Sequence, residues 1–116
     1  MKSRSAKNKG KRLQNEVRDI LLEEFKDHLE ADDIKSAVMG DSGEDIQLSP
    51  AARKLIPYAI ECKNQEKLNI WSALEQAEIN AKEATPVVVF KRNRSKTFAV
   101  VELTAFIKLI KENKNG

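Results

Sequence analysis

The stretch Tyr58-Ala59-Ile60-Glu61-Cys62-Lys63 decides how this chain is interpreted, because its apolar residues predict a β-strand that also carries two charges. Side chains alternate between the two faces of a strand, so Glu61 and Lys63 project together while Ile60 and Cys62 point into the core. A carboxylate and an ammonium group two residues apart on an apolar strand indicate a functional site. The alternative is an exposed ion pair, which contributes at most ~1 kcal/mol to stability.

A second acid, Asp45, singles out this strand among similar segments. The acid-x-Lys pattern also occurs at residues 24–26, 33–35 and 112–114. Only the pair Glu61 and Lys63 lies within an apolar strand whose preceding strand also bears an acid. That acid is Asp45, which comes just after the turn-prone segment 40–43. Adjacent antiparallel strands would bring Asp45 and Glu61 close enough to share Mg²⁺, whose remaining ligands would be a backbone carbonyl and a phosphate oxygen.

Such an ion would activate a water and neutralise charge on a scissile phosphate. Lys63 would then hold or polarise the attacking water, or stabilise the charge that develops in the transition state.

Length and composition restrict the class of protein. With 116 residues, of which 41% are apolar and 34% charged, the chain is expected to be one soluble globular domain. No apolar run approaches the ~18 residues of a membrane span, and the N-terminus lacks a signal-peptide pattern, so we expect a cytoplasmic protein of a prokaryote or a phage-infected host. The single cysteine, Cys62, excludes an internal disulfide and a multi-cysteine zinc site.

The net charge of +3 hides an uneven distribution. Residues 1–15 carry +6, residues 16–45 carry −8 and residues 46–116 carry +5. This pattern favours an anionic partner together with a cation held by carboxylates. The alternative is a solvated helix face with a flexible tail. We expect residues 1–9 to be a flexible basic arm and residues 10–116 to form a single domain.

Apolar periodicity predicts an α/β fold with the order α-β-β-β-α-β-β-α. The predicted elements are a helix over 11–30, strands over 34–39 and 44–48, a capped helical turn at 49–53, a strand from 56 or 58 to 63, a helix over 70–84 capped by Asn69, strands over 86–90 and 97–102, and a closing helix from Thr104 through Ile110. We expect a central mixed sheet of about five strands flanked by helices.

Two groups of motifs resemble the PD-(D/E)XK nuclease superfamily, whose core has this α-β-β-β-α-β order. Gly43-Glu44-Asp45-Ile46 followed by Ile60-Glu61-Cys62-Lys63-Asn64 is similar to its signature, although Glu44 stands where the family name has proline. The segment 9–17, a Lys-Gly pair before a helix glutamate, resembles the first-helix motif of archaeal-type Holliday-junction resolvases. The segment 44–76 is similar to small phage-encoded members, and the likeness extends over residues 9–106.

The resemblance implies a restriction-endonuclease-like core and a metal-dependent DNA phosphodiesterase that leaves a 5′-phosphate. It implies Mg²⁺ as cofactor, with Mn²⁺ able to substitute. Carried over residue by residue, it assigns Asp45 and Glu61 as metal ligands, Lys63 as the catalytic lysine, Glu16 as a supporting acid and Gln76 as the glutamine found after the lysine in some branches. The Cys62 backbone carbonyl would be a further metal ligand, while its thiol packs in the core.

Basic residues in two places are candidate DNA contacts, since DNA is bound mainly through its phosphates. They are Lys7, Lys9, Lys11 and Arg12 near the N-terminus, and Lys91, Arg92, Arg94 and Lys96 around a predicted hairpin turn. The alternative for the hairpin is a solubilising turn. Trp71 is expected to pack in the core.

We therefore expect Mg²⁺-dependent endonucleolytic cleavage of branched DNA, as in recombination or repair, by a homodimer. A chain of this size offers one active site. Cutting two strands symmetrically needs two such sites related by a twofold axis, which a homodimer would supply. Apolar residues of the last helix would supply part of the interface, the alternative being that they pack in the core: Phe106, Ile107, Leu109 and Ile110. The alternatives are a nuclease acting on single strands, flaps or plain duplex, and a DNA-binding module without catalysis.

Overall fold

The computed structural model describes residues 2–38 and 43–115, and it has the predicted α/β class. The elements in chain order are α1 Lys2–Glu24, a 3-10 turn Ala31–Asp33, β1 Ile34–Ser36, β2 Ile46–Leu48, α2 Pro50–Leu55, β3 Tyr58–Asn64, α3 Ile70–Ala81, β4 Thr85–Lys91, β5 Phe98–Val100 and α4 Leu103–Asn115. Helix α2 is the predicted capped turn: the Ser49 hydroxyl accepts from Ala52 N, and Pro50 occupies the first position.

The five strands lie in two sheets, which corrects the expectation of one five-stranded sheet. Strands β1 and β2 pair antiparallel. Strand β3 pairs with β4 in parallel, and β4 pairs with β5 antiparallel, so this three-stranded sheet is mixed.

One side chain explains why the sheets remain separate. Asp45, just before β2, donates its N–H to Ile60 O of β3 at 3.1 Å. The next N–H of β3 on this side, that of Cys62, donates to Asp45 Oδ2 at 2.7 Å. The Asp45 backbone carbonyl already accepts from Ala37 N at 2.8 Å. The Asp45 carboxylate thus occupies the Cys62 N–H, which a backbone carbonyl would have to accept from for the hydrogen-bond ladder between the two sheets to continue.

Helices α1 and α3 cover opposite faces of the three-stranded sheet. Leu13 of α1 belongs to the core cluster that contains Ile60 and Cys62 of β3. Ala73 and Ala77 of α3 pack with Val88 of β4 in a second cluster. Because strand side chains alternate, Glu61 and Lys63 project to the face covered by α3.

Helix α1 is longer at its start and shorter at its end than predicted. It begins at Lys2 instead of Lys11, because residues 2–9 contain no proline and include Lys, Arg and Ala, which favour helix. It ends at Glu24 instead of Glu30, since Glu30 is already extended as the cap of the 3-10 turn, with φ −100° and ψ 169°. The flexibility of residues 1–9 stays a prediction.

Other boundaries shift by a few residues. Strand β1 stops at Ser36, before the predicted end at residue 39, and the predicted turn at residues 40–42 lies outside the described residues. Helix α3 ends at Ala81 instead of Ala84, because Lys82 takes a positive φ of 54° that cannot continue a right-handed helix. None of the helices in 2–38 and 43–115 has both the length and the apolar character needed to cross a membrane.

Candidate active site

Asp45 lies beside Glu61 at the edge of β3, although β2 and β3 belong to different sheets. The backbone N–H of Asp45 is bound to Ile60 O, and its side chain accepts from Cys62 N. Asp45 is therefore held to the residues on both sides of Glu61, close enough that, in addition to burial, its charge raises the pKa of the Glu61 carboxyl group. Lys63, two residues along the same face, lies near enough to act on the charge of Glu61.

Glu61 is one of the few polar residues in the protein core, with 4% of its surface exposed. Burial raises the pKa of its carboxyl group to about 7, and the neighbouring Asp45 adds to the rise. A hydrogen bond from Asn80 and the charge of Lys63 act in the opposite direction, because both favour the ionised form. The site thus concentrates carboxyl groups that a bound cation would stabilise in their ionised form.

Asn80 of α3 is a site residue that the sequence analysis missed. Its Nδ2 donates to Glu61 Oε1 at 2.8 Å. Its Oδ1 is 3.5 Å from Gln76 Nε2, one helical turn earlier. The signal in the sequence is a polar residue three positions after Ala77 on the buried side of α3, a place where Asn needs a partner.

Lys63 lines a groove of about 260 Å³ between β3 and α3. The groove is lined by Lys63, Gln65, Leu68, Asn69, Ser72, Ala73 and Gln76. The structure therefore brings Gln76 to the same groove as Lys63, on the exposed side of α3.

Glu16 is not brought to this cluster. The buried positions in this part of α1 are Leu13, Gln14 and Val17, and Glu16 is exposed beside them. Moreover, α1 covers the face of the sheet opposite to Glu61. The role of Glu16 as a supporting acid finds no contact in the structure and stays a prediction.

Cys62 contributes its backbone to this edge of the strand. The thiol is buried, and burial raises its pKa well above the ordinary range, with Asp45 and Glu61 adding to the rise. The thiol is therefore neutral at neutral pH. Because the N–H and C=O of one strand residue point to the same side, the Cys62 carbonyl faces the edge at which its N–H binds Asp45.

Two of the basic residues of α1 make contacts with other elements of the fold. Lys11 is half-buried, and its Nζ donates to Ser36 Oγ at 3.0 Å and to Ala37 O at 2.8 Å. The carbonyl of Lys9 accepts from Asn64 Nδ2 at 3.3 Å, next to Lys63 in sequence. Lys7 and Arg12 are exposed.

The second predicted basic group lies on the β4–β5 turn. Ser95 N donates to Arg92 O at 3.2 Å, and Arg94 has a positive φ of 62°. Arg92, Arg94 and Lys96 are exposed, while Lys91 is half-buried. Gln65 N donates to Lys91 O at 3.1 Å, which ties the start of the turn to the segment that follows Lys63.

Two regions expose large apolar side chains. Trp71 is 74% exposed, so the prediction that it packs in the core is wrong. The face of α3 that meets the sheet consists of small residues, Ala73, Ala77 and Ala81, and Trp71 lies on the outer face. On α4, five large apolar side chains are exposed by 39–70%: Leu103, Phe106, Ile107, Leu109 and Ile110.

The donor set at the edge of β3 fits a hard divalent cation. Asp45, Glu61 and the Cys62 carbonyl are oxygen donors, which Mg²⁺ and Mn²⁺ prefer. Within residues 2–38 and 43–115 no group of three or more His, Cys, Asp or Glu side chains could hold a metal ion. Protein ligation by two carboxylates leaves positions for water and phosphate, as is usual for Mg²⁺.

A family model described as "Phage putative PDDEXK endonuclease" matches residues 5–115 of the chain. The match spans α1 through α4 and includes Asp45, Glu61 and Lys63. Comparisons with curated proteins and with solved structures returned no match.

Proposed function

The chain belongs to the phage PDDEXK endonuclease family, and on that premise we propose that it is a Mg²⁺-dependent DNA endonuclease that leaves 5′-phosphate ends. The observation that carries the proposal is the meeting of Asp45 and Glu61 beside Lys63 at one edge of β3. A buried carboxyl group that serves no function destabilises the fold. Packing of the core gives no reason to bury Glu61, so its burial beside Asp45 and Lys63 supports a functional role.

Asp45, Glu61 and the Cys62 carbonyl hold the cation in this proposal. When bound, the cation lowers the pKa of water and neutralises charge on the scissile phosphate. Lys63 orients the attacking water and stabilises negative charge as the water oxygen bonds to phosphorus and the bond to the 3′ oxygen breaks. The 3′ oxygen leaves and takes up a proton, so the products are a 3′-hydroxyl and a 5′-phosphate. Gln76 contacts the same DNA strand from the wall of the groove.

Branched DNA of the Holliday-junction type is the proposed substrate, and a homodimer is the proposed working unit. Helix α4 supports the dimer, because it carries more large apolar residues than a single helix packed on a sheet needs to bury. These residues are exposed in one chain. Beneath it, a groove of about 430 Å³ between α4, α1 and the three-stranded sheet has a lining that includes Leu21, Tyr58 and Phe106. Two copies related by a twofold axis would cover both surfaces and present two sites.

Cleavage of matched oligonucleotides tests the activity. A synthetic four-way junction, a linear duplex and single strands of the same sequence are incubated with wild-type protein in Mg²⁺, Mn²⁺ or EDTA. We expect cuts with 5′-phosphate ends in Mg²⁺ and Mn²⁺ and none in EDTA, with the junction cut fastest. Binding without cleavage of any substrate would leave the DNA-binding module as the remaining interpretation.

Two isosteric variants test the metal ligands. Asp45→Asn and Glu61→Gln should each reduce the cleavage rate by at least about 100-fold, because a neutral amide does not replace an ionised carboxylate on a hard cation. DNA binding should be retained or tightened, since each change removes a negative charge near phosphate. Glu78→Gln, an exposed position on α3, is the control and should cut at the wild-type rate. Equal activity of all three variants would contradict the assignment.

A further inference from the structure

A second groove lies beside the groove of Lys63 and combines two aromatic rings with basic side chains. It has a volume of about 310 Å³, which is within the ~300–1,000 Å³ range of small-ligand sites. It is lined by Gln65, Glu66, Leu68, Phe90, Lys91, Arg92, Ser95 and Phe98. Gln65 and Leu68 line both grooves, so the two grooves are neighbours on the surface.

Strand register fixes the position of the aromatic rings relative to the catalytic lysine. Lys63 is paired with Phe90, and Phe90 is paired with Phe98, so the three side chains form one row on the same face. Two strand spacings separate Lys63 from Phe98, which is about 10 Å. This distance corresponds to about three stacked nucleotides at ~3.4 Å each.

Phe98 is the open end of this row. It is 54% exposed, while Phe90 is half-buried under it, with ring centroids 6.0 Å apart and planes inclined by 32°. The ring of Phe98 is therefore in contact with Phe90, while about half of the residue's surface is open to solvent. An exposed phenylalanine on a short outer strand adds little to the core, and a flat apolar surface suits a flat ligand.

Charge around the groove favours a phosphate-bearing ligand. Lys91 and Arg92 line it, and Arg94 and Lys96 follow on the same turn. The one acid in the lining, Glu66, accepts a hydrogen bond from Asn93 N at the turn, so its charge is partly satisfied by the protein. Aromatic faces beside basic side chains are the combination that binds single-stranded nucleic acid.

We propose that the groove lined by Phe98 and Arg92 is a subsite for one unpaired nucleotide of the DNA strand that is cut, whose base stacks on Phe98. The subsite rests on the proposed nuclease function and narrows its substrate to DNA with an unpaired nucleotide about three positions from the cut. In continuous duplex both faces of a base are covered by its neighbours, so the ring can stack only on a base that has left the helix.

Binding measurements in Ca²⁺ or EDTA separate this subsite from catalysis. The probes are a fluorescent junction with three unpaired nucleotides at its centre, and a duplex of the same length. Phe98→Leu keeps apolar bulk but removes the ring face, so we expect a 5- to 100-fold loss of affinity for the junction, as for other stacking aromatics. Affinity for the duplex should change less than about twofold, and Phe98→Tyr should bind both like the wild type.

Trp71→Leu is the matched control, because Trp71 is an exposed aromatic on α3 outside the lining of the groove. It should leave both affinities unchanged. Loss of junction affinity in Trp71→Leu but not in Phe98→Leu would overturn the proposal, as would an equal loss for junction and duplex in Phe98→Leu. Melting temperature and circular dichroism identify a variant that does not fold.

Photo-crosslinking of wild-type protein provides a measurement that needs no variant. With 5-iododeoxyuridine at each unpaired position in turn, the crosslink should map to the peptide containing Phe98 at one position near the cut. A crosslink from the DNA to the Trp71 peptide, to any other peptide of the chain, or to a second copy of the chain bound in the groove would contradict the subsite. Cleavage in Mg²⁺ is scored in parallel: failure of the wild type to cut refutes the nuclease, whereas cutting with no effect of Phe98→Leu refutes the subsite alone.

Discussion

Glu61 is the residue on which the site depends, and its surroundings explain why its ionisation is linked to folding. Burial raises its pKa from 4.5 to about 7, so between these values the folded protein binds more protons than the unfolded chain. Asn80 and Lys63 limit the rise but do not cancel it. The position of Glu61 thus lowers the stability of the metal-free protein as the carboxyl group ionises.

The ionisation of Glu61 should therefore lower the melting temperature of the metal-free protein as pH rises from about 4.5 through about 7. Added Mg²⁺ binds the ionised form, so its stabilising effect should be larger at pH 8 than at pH 5. Thermal unfolding in EDTA and in Mg²⁺ across this range measures both effects. Glu61→Gln should flatten the fall and remove the Mg²⁺ effect; a stabilisation by Mg²⁺ that persists in this variant would point to another site.

Asn80 is expected to position Glu61 by holding Oε1 and leaving the other carboxylate oxygen for the cation. Hydrogen bonds to charged groups contribute ~1.5–3 kcal/mol, so Asn80→Ala should reduce cleavage at neutral pH by about 10- to 100-fold. Because the lost hydrogen bond favours the ionised form, the pH at which activity is half-maximal should move upward. The pH–rate profile measures this shift. Ile79→Ala, an exposed neighbour on the same turn, should leave the profile unchanged.

At the scale of elements, the N-terminal half of α1 carries the basic residues that we expect to contact DNA. Its backbone is helical from Lys2, and the Lys9 carbonyl is tied to Asn64 at the end of β3. Deleting residues 1–9 would remove both the charges and this contact, so charge-neutralising substitutions are the cleaner test.

The double variant Lys7→Gln/Lys9→Gln should weaken DNA binding and flatten its salt dependence. Each phosphate contact contributes about 0.9 to the slope of log affinity against log salt, so a loss of up to about 1.8 is expected. Titrations of labelled duplex at several salt concentrations give the slope. Lys26→Gln is the control: Lys26 lies beyond the other end of α1, roughly 25 Å away at 1.5 Å per residue. An unchanged slope in the double variant would show that these lysines do not contact phosphate.

At the scale of the whole molecule, the unburied apolar surface of α4 predicts self-association. Ile107 is 46% exposed, and its neighbours on the same stripe, Leu103 and Ile110, are 70% and 49% exposed. Ile107→Glu would place a charge within the proposed interface, so light scattering should show a monomer at concentrations where the wild type is a dimer. The unfolding temperature of the monomer should be retained if the helix is already solvent-facing in one chain.

Lys108→Glu, which changes charge on the polar side of α4, is the control and should remain a dimer. Junction cleavage supplies a second readout. A dimer introduces two nicks in one binding event, whereas Ile107→Glu should release singly nicked junctions first. A monomeric wild-type protein that cuts both strands would contradict the twofold arrangement.

Much of this molecule is predictable from the sequence, because local chemistry determines it. Hydrophobic alternation located β3, the Asn69 cap located the start of α3, and the acid-x-Lys pattern on an apolar strand singled out Glu61 and Lys63 as candidate site residues. These depend on neighbours in the chain, whose geometry is set by the 2.0- and 3.6-residue periods. The sequence alone also predicted the family, which the family comparison confirmed.

Tertiary structure alone decided which residues meet across distance. The Asp45 carboxylate replaced a backbone acceptor at Cys62, so one predicted sheet became two. Asn80 reaches Glu61 only because α3 packs on that face of β3, whereas α1 lies on the other face and leaves Glu16 in solvent. The row from Lys63 through Phe90 to Phe98 arises from strand register, which pairs residues far apart in sequence. Local periodicity gives the face that a side chain takes, and only the packing of elements gives what that face meets.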